Sequence, residues 1–286
     1  MLFKSSNNRR SQIDRFARER LTKGNEDNKG YQIDHSLSFL GYLKSCRHLM
    51  IAITFALPAE SQEFLRSLGN KSRGHRNGIR IIRGKVDDRT IEVFHTGVGK
   101  NVCRERVGKF LQDQHFDYLI SAGFAGALND QLQLGDLLLA KNFSTVRLEE
   151  NFSVSSMQIH MGDLLTVPAL IDSRGERNKL ALTSGAVAVD METEFIARAC
   201  AAHGIPVLSL RVISDTPKEL FPAPANVLFD IERQQTRMPK LAAYLVAHPH
   251  RIPRLVQFAR RIARARKILA DALVGLVRGY SCAGSM

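Results

Sequence analysis

A chain of 286 residues, 44% apolar and 24% charged, is long enough for one large α/β domain with appendages or two small domains, and its composition is that of an ordinary globular protein. It has no apolar run near the roughly 18 residues of a membrane-spanning helix and no secretory signal in Met1-Leu2-Phe3-Lys4-Ser5-Ser6, so the cytoplasm is expected; scattered Cys46, Cys103, Cys200 and Cys282 predict neither disulfide framework nor metal site. The net charge of +13 sits at the ends, 10 Lys/Arg against 5 Asp/Glu in residues 1–49 and 11 against 1 in residues 233–286, leaving a middle too neutral for a specific nucleic-acid reader.

Residues 1–49 are polar and basic, with Gly24-Asn25-Glu26-Asp27-Asn28 at their centre, and are expected to form a disordered extension. Met50 immediately precedes the first strong strand, Ile51 to Ala56, and is read as the true start of the protein, a hypothesis that N-terminal sequencing tests. A helix is predicted from Ser61 to Leu68, led in by Leu57-Pro58-Ala59-Glu60. Glu60 then sits just past a strand end, where its local reading is a first-turn acid favoured by the helix dipole. Ile79–Val86 and Thr90–His95 alternate around Asp87-Asp88 as a hairpin. Thr96-Gly97-Val98-Gly99-Lys100 opens a helix to about Gln114 but is no Walker-type phosphate loop.

Tyr118–Ala122 reads as a short buried strand that stops at Gly123-Phe124-Ala125-Gly126, either a tight turn or a place where backbone approaches a ligand. Strands are expected at Leu134–Ala140, Ile159–Val167, Ala186–Asp190 and Pro206–Ile213, and helices at Arg174–Leu182 and Glu192–His203. The alternation predicts an α/β three-layer sandwich on a mixed sheet over residues 50–232. Residues 233–286 form a basic amphipathic helical extension, with Leu255, Phe258, Ile262, Leu269, Leu273 and Leu276 on one face. Such a helix either packs on the domain or a second subunit, or lies on an anionic membrane through residues 251–278.

Two acidic strand ends organise the chain: Val189-Asp190-Met191-Glu192 and Arg211-Val212-Ile213-Ser214-Asp215. Acids at the ends of apolar strands face the crevice where open α/β sheets bind ligands, although Asp is also a favoured helix cap. Together with Ala56-Leu57-Pro58-Ala59-Glu60, Thr96-Gly97-Val98-Gly99-Lys100 and Gly123-Phe124-Ala125-Gly126, these motifs resemble, in order, the nucleoside phosphorylase/nucleosidase superfamily, and within it the 5′-methylthioadenosine/S-adenosylhomocysteine nucleosidases. The resemblance implies a nucleoside phosphorylase-like fold, a homodimer, no cofactor, and cleavage of a purine nucleoside. It implies that Asp215 protonates the purine at N7 and Glu60 activates water. It further implies that Met191 and Glu192 hold the ribose, that Leu170, Ile171 and Gly123 contact the base, and that Arg211 and Ser214 orient the acids. Burial by Ile213 and Phe221 is the expected means of keeping Asp215 protonated.

Four departures qualify the resemblance. Phe124 stands in the substrate-binding turn where the bacterial nucleosidases carry Ser; no Arg near Pro58 could clamp a phosphate, which favours water as nucleophile, although Arg211 could still serve an anion. Asp190 replaces the commoner Glu. The segment before Leu170 is shortened, which leaves purine identity open. The tail from Phe221-Pro222-Ala223-Pro224 through His248-Pro249-His250 resembles hopanoid-associated nucleosidases, implying an adenosyl-lipid substrate at the inner membrane face. The alternatives are a phosphate-dependent phosphorylase and a non-catalytic nucleoside-binding protein tethered by its basic ends.

Overall fold

A computed structural model describes residues 49–146, 158–219 and 246–279, together with residues 227, 243 and 244. The expected N-terminal extension and the Phe221–Pro224 motif lie outside the described residues. The first strand, β1 (Met50–Phe55), leads into α1 (Pro58–Ser67), then β2 (Gly69–Arg76), β3 (Ile79–Val86) and β4 (Arg89–His95). Helix α2 (Lys100–Leu111) is followed by β5 (Tyr118–Ala127), β6 (Leu137–Ala140), β7 (Ile159–Gly162) and β8 (Leu164–Thr166). The remainder is α3 (Arg174–Ser184), β9 (Ala188–Asp190), α4 (Thr193–Ala202), β10 (Val207–Asp215) and the 28-residue α5 (Ile252–Gly279).

The sheet runs β2-β3-β4-β1-β5-β10-β6-β7 and is mixed: β4, β1, β5 and β10 are parallel, whereas β2–β3–β4 and β10–β6 pair antiparallel. The central strands are buried on both faces, and their side chains divide with a period of two. Ile51, Ile53 and Phe55 of β1 and Tyr118, Ile120 and Ala122 of β5 pack in one cluster with Phe64 of α1 and Leu269, Leu273 and Leu276 of α5. Ala52 and Leu119 face the opposite cluster, with Val107 and Phe110 of α2 and Ile196 and Cys200 of α4. Helices thus cover both faces of the sheet, the expected three layers.

Two local expectations are corrected, and one strand, β2, falls where no element was predicted. Strand β2 has no buried residue, so it carries no hydrophobic period; its register comes from pairing with β3 through Asn77 and Gly78, both at positive φ. The strand expected from Ile159 to Val167 is two, because the chain changes partner at Gly162–Asp163: β7 pairs with β6 and β8 with β9. A Cβ on Gly162 would lie 2.6 Å from Val187 Cγ2, which shows how closely the backbone passes there. Most consequential is β5, which does not turn at Gly123 but continues extended to Ala127, held by β10 on one side and by β9 at its end.

Candidate active site

The site is assembled where β1, β5, β9 and β10 end. Glu60 is the third residue of α1, and its Oε2 accepts hydrogen bonds from the amides of Ala56 (3.0 Å) and Leu57 (3.2 Å). The helix-start reading of this residue therefore holds, but among the described residues no donor reaches Oε1. Burial is the main influence on the carboxyl and pushes its pKa up to about 7, against the pull of the two amides and of Arg211. Next to it in sequence, Ser61 Oγ lies 2.8 Å from His95 Nε2, whose pKa burial and the nearby Arg106 push down to about 4; a neutral imidazole there braces the start of α1.

Glu192, at the start of α4, is 9% exposed and reaches across to α2, where its Oε1 accepts the Gly99 amide at 3.0 Å. Burial first, and then the neighbouring Asp190 and Glu60, raise its pKa; the Gly99 bond opposes them. Asp190 itself is a structural anchor. Its Oδ1 accepts from Thr166 Oγ1 (2.8 Å), and its Oδ2 accepts from the Thr193 amide (3.0 Å), the Thr193 hydroxyl and Arg211 Nε (3.2 Å) and Nη2 (3.1 Å). Asp190 thus serves the start of α4 by accepting its first amide, although the cap position itself is Glu192. Arg211 spends its other N–H groups on Ser121 O (2.6 Å), Leu210 O (2.9 Å) and Ser121 Oγ (2.8 Å), so its guanidinium is saturated by protein. Gly123 lies beneath this group: a Cβ there would stand 3.6 Å from Glu60 Oε2 and 3.9 Å from Arg211 Cζ.

Asp215 ends β10, further along that strand's pairing with β5. A bulge between Ile213 and Asp215 sets Asp215 opposite Gly126, three residues beyond Gly123, which in a strand is roughly 10 Å. Its Oδ1 accepts from Ser214 Oγ at 2.7 Å, and its Oδ2 is ion-paired with Arg177. Asp215 is buried; of the two residues expected to bury it, Ile213 lies in a cluster with Ala125 and Leu138 and Phe221 lies outside the described residues, and a guanidinium not foreseen stands against the carboxyl. Arg177 was not anticipated. It is a first-turn residue of α3, which Ser173 caps through the Glu176 amide, and nothing in the periodicity separates it from the solvated Arg174 and Lys179.

The other expected contacts divide. Met191 is buried beside Glu192, at 8% exposure. Leu170 is exposed and Ile171 buried, with the Ile171 carbonyl occupied by Arg177 Nε (3.0 Å) and Nη2 (2.7 Å). Phe124 is half-buried against the α1–α5 cluster.

A doubly covered mixed sheet with acids at its strand ends and a closing C-terminal helix defines an α/β protein of the nucleoside phosphorylase-like class. The family profile described as the Phosphorylase superfamily matches residues 50–154 and 145–248, and the chain belongs to that family. It is 24% identical over 192 residues to a 5′-methylthioadenosine/S-adenosylhomocysteine nucleosidase of Actinobacillus succinogenes, spanning 55% of this chain and 82% of that one. It is also 24% identical over 196 residues to a DeoD-type purine nucleoside phosphorylase of Alkaliphilus metalliredigens, spanning 58% and 86%. The crystal structure of the Campylobacter jejuni 5′-methylthioadenosine/S-adenosylhomocysteine nucleosidase superposes with a TM-score of 0.59 at 19% identity, covering 80% of this chain and 98% of the other.

Proposed function

We propose that this protein is a purine nucleosidase that hydrolyses the N-glycosidic bond of an adenosine derivative. The observation that carries the reading is the hold on Glu60: two backbone amides fix its Oε2 over Gly123 and leave its Oε1 for a water, and Glu192 is near enough for the two carboxyls to feel each other's charge. Glu60 would take the proton of the attacking water, Glu192 and Met191 would hold the ribose hydroxyls, and Asp215 would serve the purine about one sugar-plus-base length away. Leu170, Ile171, Gly123 and Phe124 would border the nucleoside.

Two features favour water over phosphate. The Arg211 donors are all engaged, and the Gly99 amide at the start of α2, where a dianion would otherwise settle, is bound by Glu192. The direct test is a panel of adenosine, methylthioadenosine, adenosylhomocysteine and a long-chain adenosyl lipid, assayed for free base with and without phosphate. Free base together with the unphosphorylated sugar, ribose from adenosine and the 5′-substituted ribose from the others, is the expected product in both conditions. Ribose 1-phosphate formed only with phosphate would make the protein a phosphorylase, and binding without turnover would make it a nucleoside-binding module. The lipid member of the panel addresses a finer reading, in which α5 brings the site to a membrane; it rests on the exposed Ile252 and Val256 among basic residues in the first half of that helix.

A further inference from the structure

Arg177 is among the largest fully buried side chains of the protein, at 1% exposure, and its contacts join three separate segments. Nη1 donates to Ala127 O at the end of β5 (2.8 Å), Nε and Nη2 donate to Ile171 O in the segment ahead of α3, and Nη2 is ion-paired with Asp215 Oδ2 at the end of β10. The pair lies over Gly126. A Cβ on that glycine would stand 2.6 Å from Asp215 Oδ2 and 3.0 Å from Arg177 Nη1, closer than a side chain tolerates, although the φ of Gly126 is not positive. This glycine is therefore required for space and not for its backbone angles. A buried guanidinium bound to two backbone carbonyls cannot follow a moving carboxylate, so the carboxylate is placed by the guanidinium.

We propose that Arg177 is the positioning residue for Asp215: it fixes Oδ2 over the bare face of Gly126, so that Oδ1, steadied by Ser214, is the oxygen presented to the nucleobase. Arg177 acts through Asp215 and is not itself a catalytic residue. Because the same guanidinium holds Ile171, the segment expected to border the base and the acid that serves the base are set as one unit. This inference rests on the purine nucleosidase reading for its meaning in catalysis, but the placement of Asp215 can be measured without turnover.

The test compares Arg177→Gln, Arg177→Lys and Gly126→Ala with the native enzyme. Arg177→Gln removes a positive charge beside a buried carboxylate, so the limb of the kcat/KM pH profile that vanishes in Asp215→Asn should move to higher pH, with kcat/KM lowered on the order of 10²-fold. Arg177→Lys keeps the charge but not the fork, and should keep the native limb while losing kcat. A native pH limb in Arg177→Gln, or native kcat/KM, overturns the proposal. If Arg177→Gln does not fold, Gly126→Ala disturbs the same pair from the opposite side; a fall in kcat greater than the rise in KM supports the proposal, and native kcat overturns it. Should the native protein release no base from any nucleoside, the nucleosidase reading fails by itself. Carboxyl 13C titration of Asp215, assigned through Asp215→Asn, then decides the inference: a signal displaced in Arg177→Gln or Gly126→Ala supports it, and one unmoved in both overturns it.

Discussion

The carboxyl of Glu60 does two things that pull against each other. It closes the start of α1 through the Ala56 and Leu57 amides, and it is held in surroundings that push its pKa to about 7. A group whose folded value lies above its ordinary 4.5 favours the protonated native state, so its contribution to stability is full below about pH 4.5 and is lost as pH rises through about 7. That loss is at most about 3 kcal/mol. Glu60→Gln keeps an oxygen for the two amides and removes the charge. It should therefore be more stable than the native chain at pH 8, by about 1–3 kcal/mol, and no more stable at pH 4. Its kcat should fall roughly 10²–10⁴-fold. Urea unfolding at the two pH values together with a base-release assay checks both halves; a variant that is active, or less stable at pH 8, contradicts the account. On the proposed function Glu60 acts as a base and works only when ionised, so kcat/KM should rise with pH through about 7. At this scale Glu60, Glu192 and Asp215 were singled out by the resemblance of the ordered motifs to a family, since each acid taken alone reads as a helix-start residue. Arg177 was not, since a long cation in the first turn of a polar helix looks solvated until the tertiary structure places its head over Gly126.

Among the elements, β5 and α5 carry the argument. The glycines of β5 allowed either a tight turn or a close approach of backbone to a ligand; here they are extended and bare, leaving room for Glu60 and Arg211 at Gly123 and for the acid–arginine pair at Gly126. Composition cannot distinguish a glycine used for its backbone freedom from one used for its missing Cβ. Strand β2 escaped notice for the opposite reason, an edge strand with no face to bury, although Asn77-Gly78 is a hairpin turn signal that marked it. Helix α5 was read correctly as amphipathic, but its periodicity could not say where along its length the apolar face is used. Ala265, Leu269, Leu273 and Leu276 are buried under the sheet while Ile252 and Val256 stand exposed. Leu273→Ala should cost about 2–5 kcal/mol in chemical unfolding and Ile252→Ala about 0.5 or less. Equal costs would mean that the helix packs uniformly.

Across the whole molecule, charge and apolar surface are concentrated in the same place. The middle of the chain is close to neutral, and the basic excess of residues 233–286 falls in part on the first half of α5, where Arg254, Arg260 and Arg264 are exposed near Ile252 and Val256. At about 1.5 Å per residue α5 is about 42 Å long, so its two halves meet different surroundings. Among the described residues no helix is long and apolar enough to cross a membrane, and any association through α5 would be peripheral. Each Arg near an anionic surface contributes about 1 kcal/mol, attenuated by salt over a Debye length of about 10 Å at 0.1 M. Co-sedimentation with phosphatidylglycerol-containing vesicles should therefore fall steeply between 0.05 and 0.5 M salt, taken as about one decade of ionic strength. Replacing Arg254, Arg260 and Arg264 together by Glu should abolish it while leaving turnover of a soluble nucleoside unchanged, because none of the three contributes to the carboxyl cluster. Equal binding to neutral vesicles, or binding indifferent to salt, would show that these arginines do not direct the helix to a lipid surface.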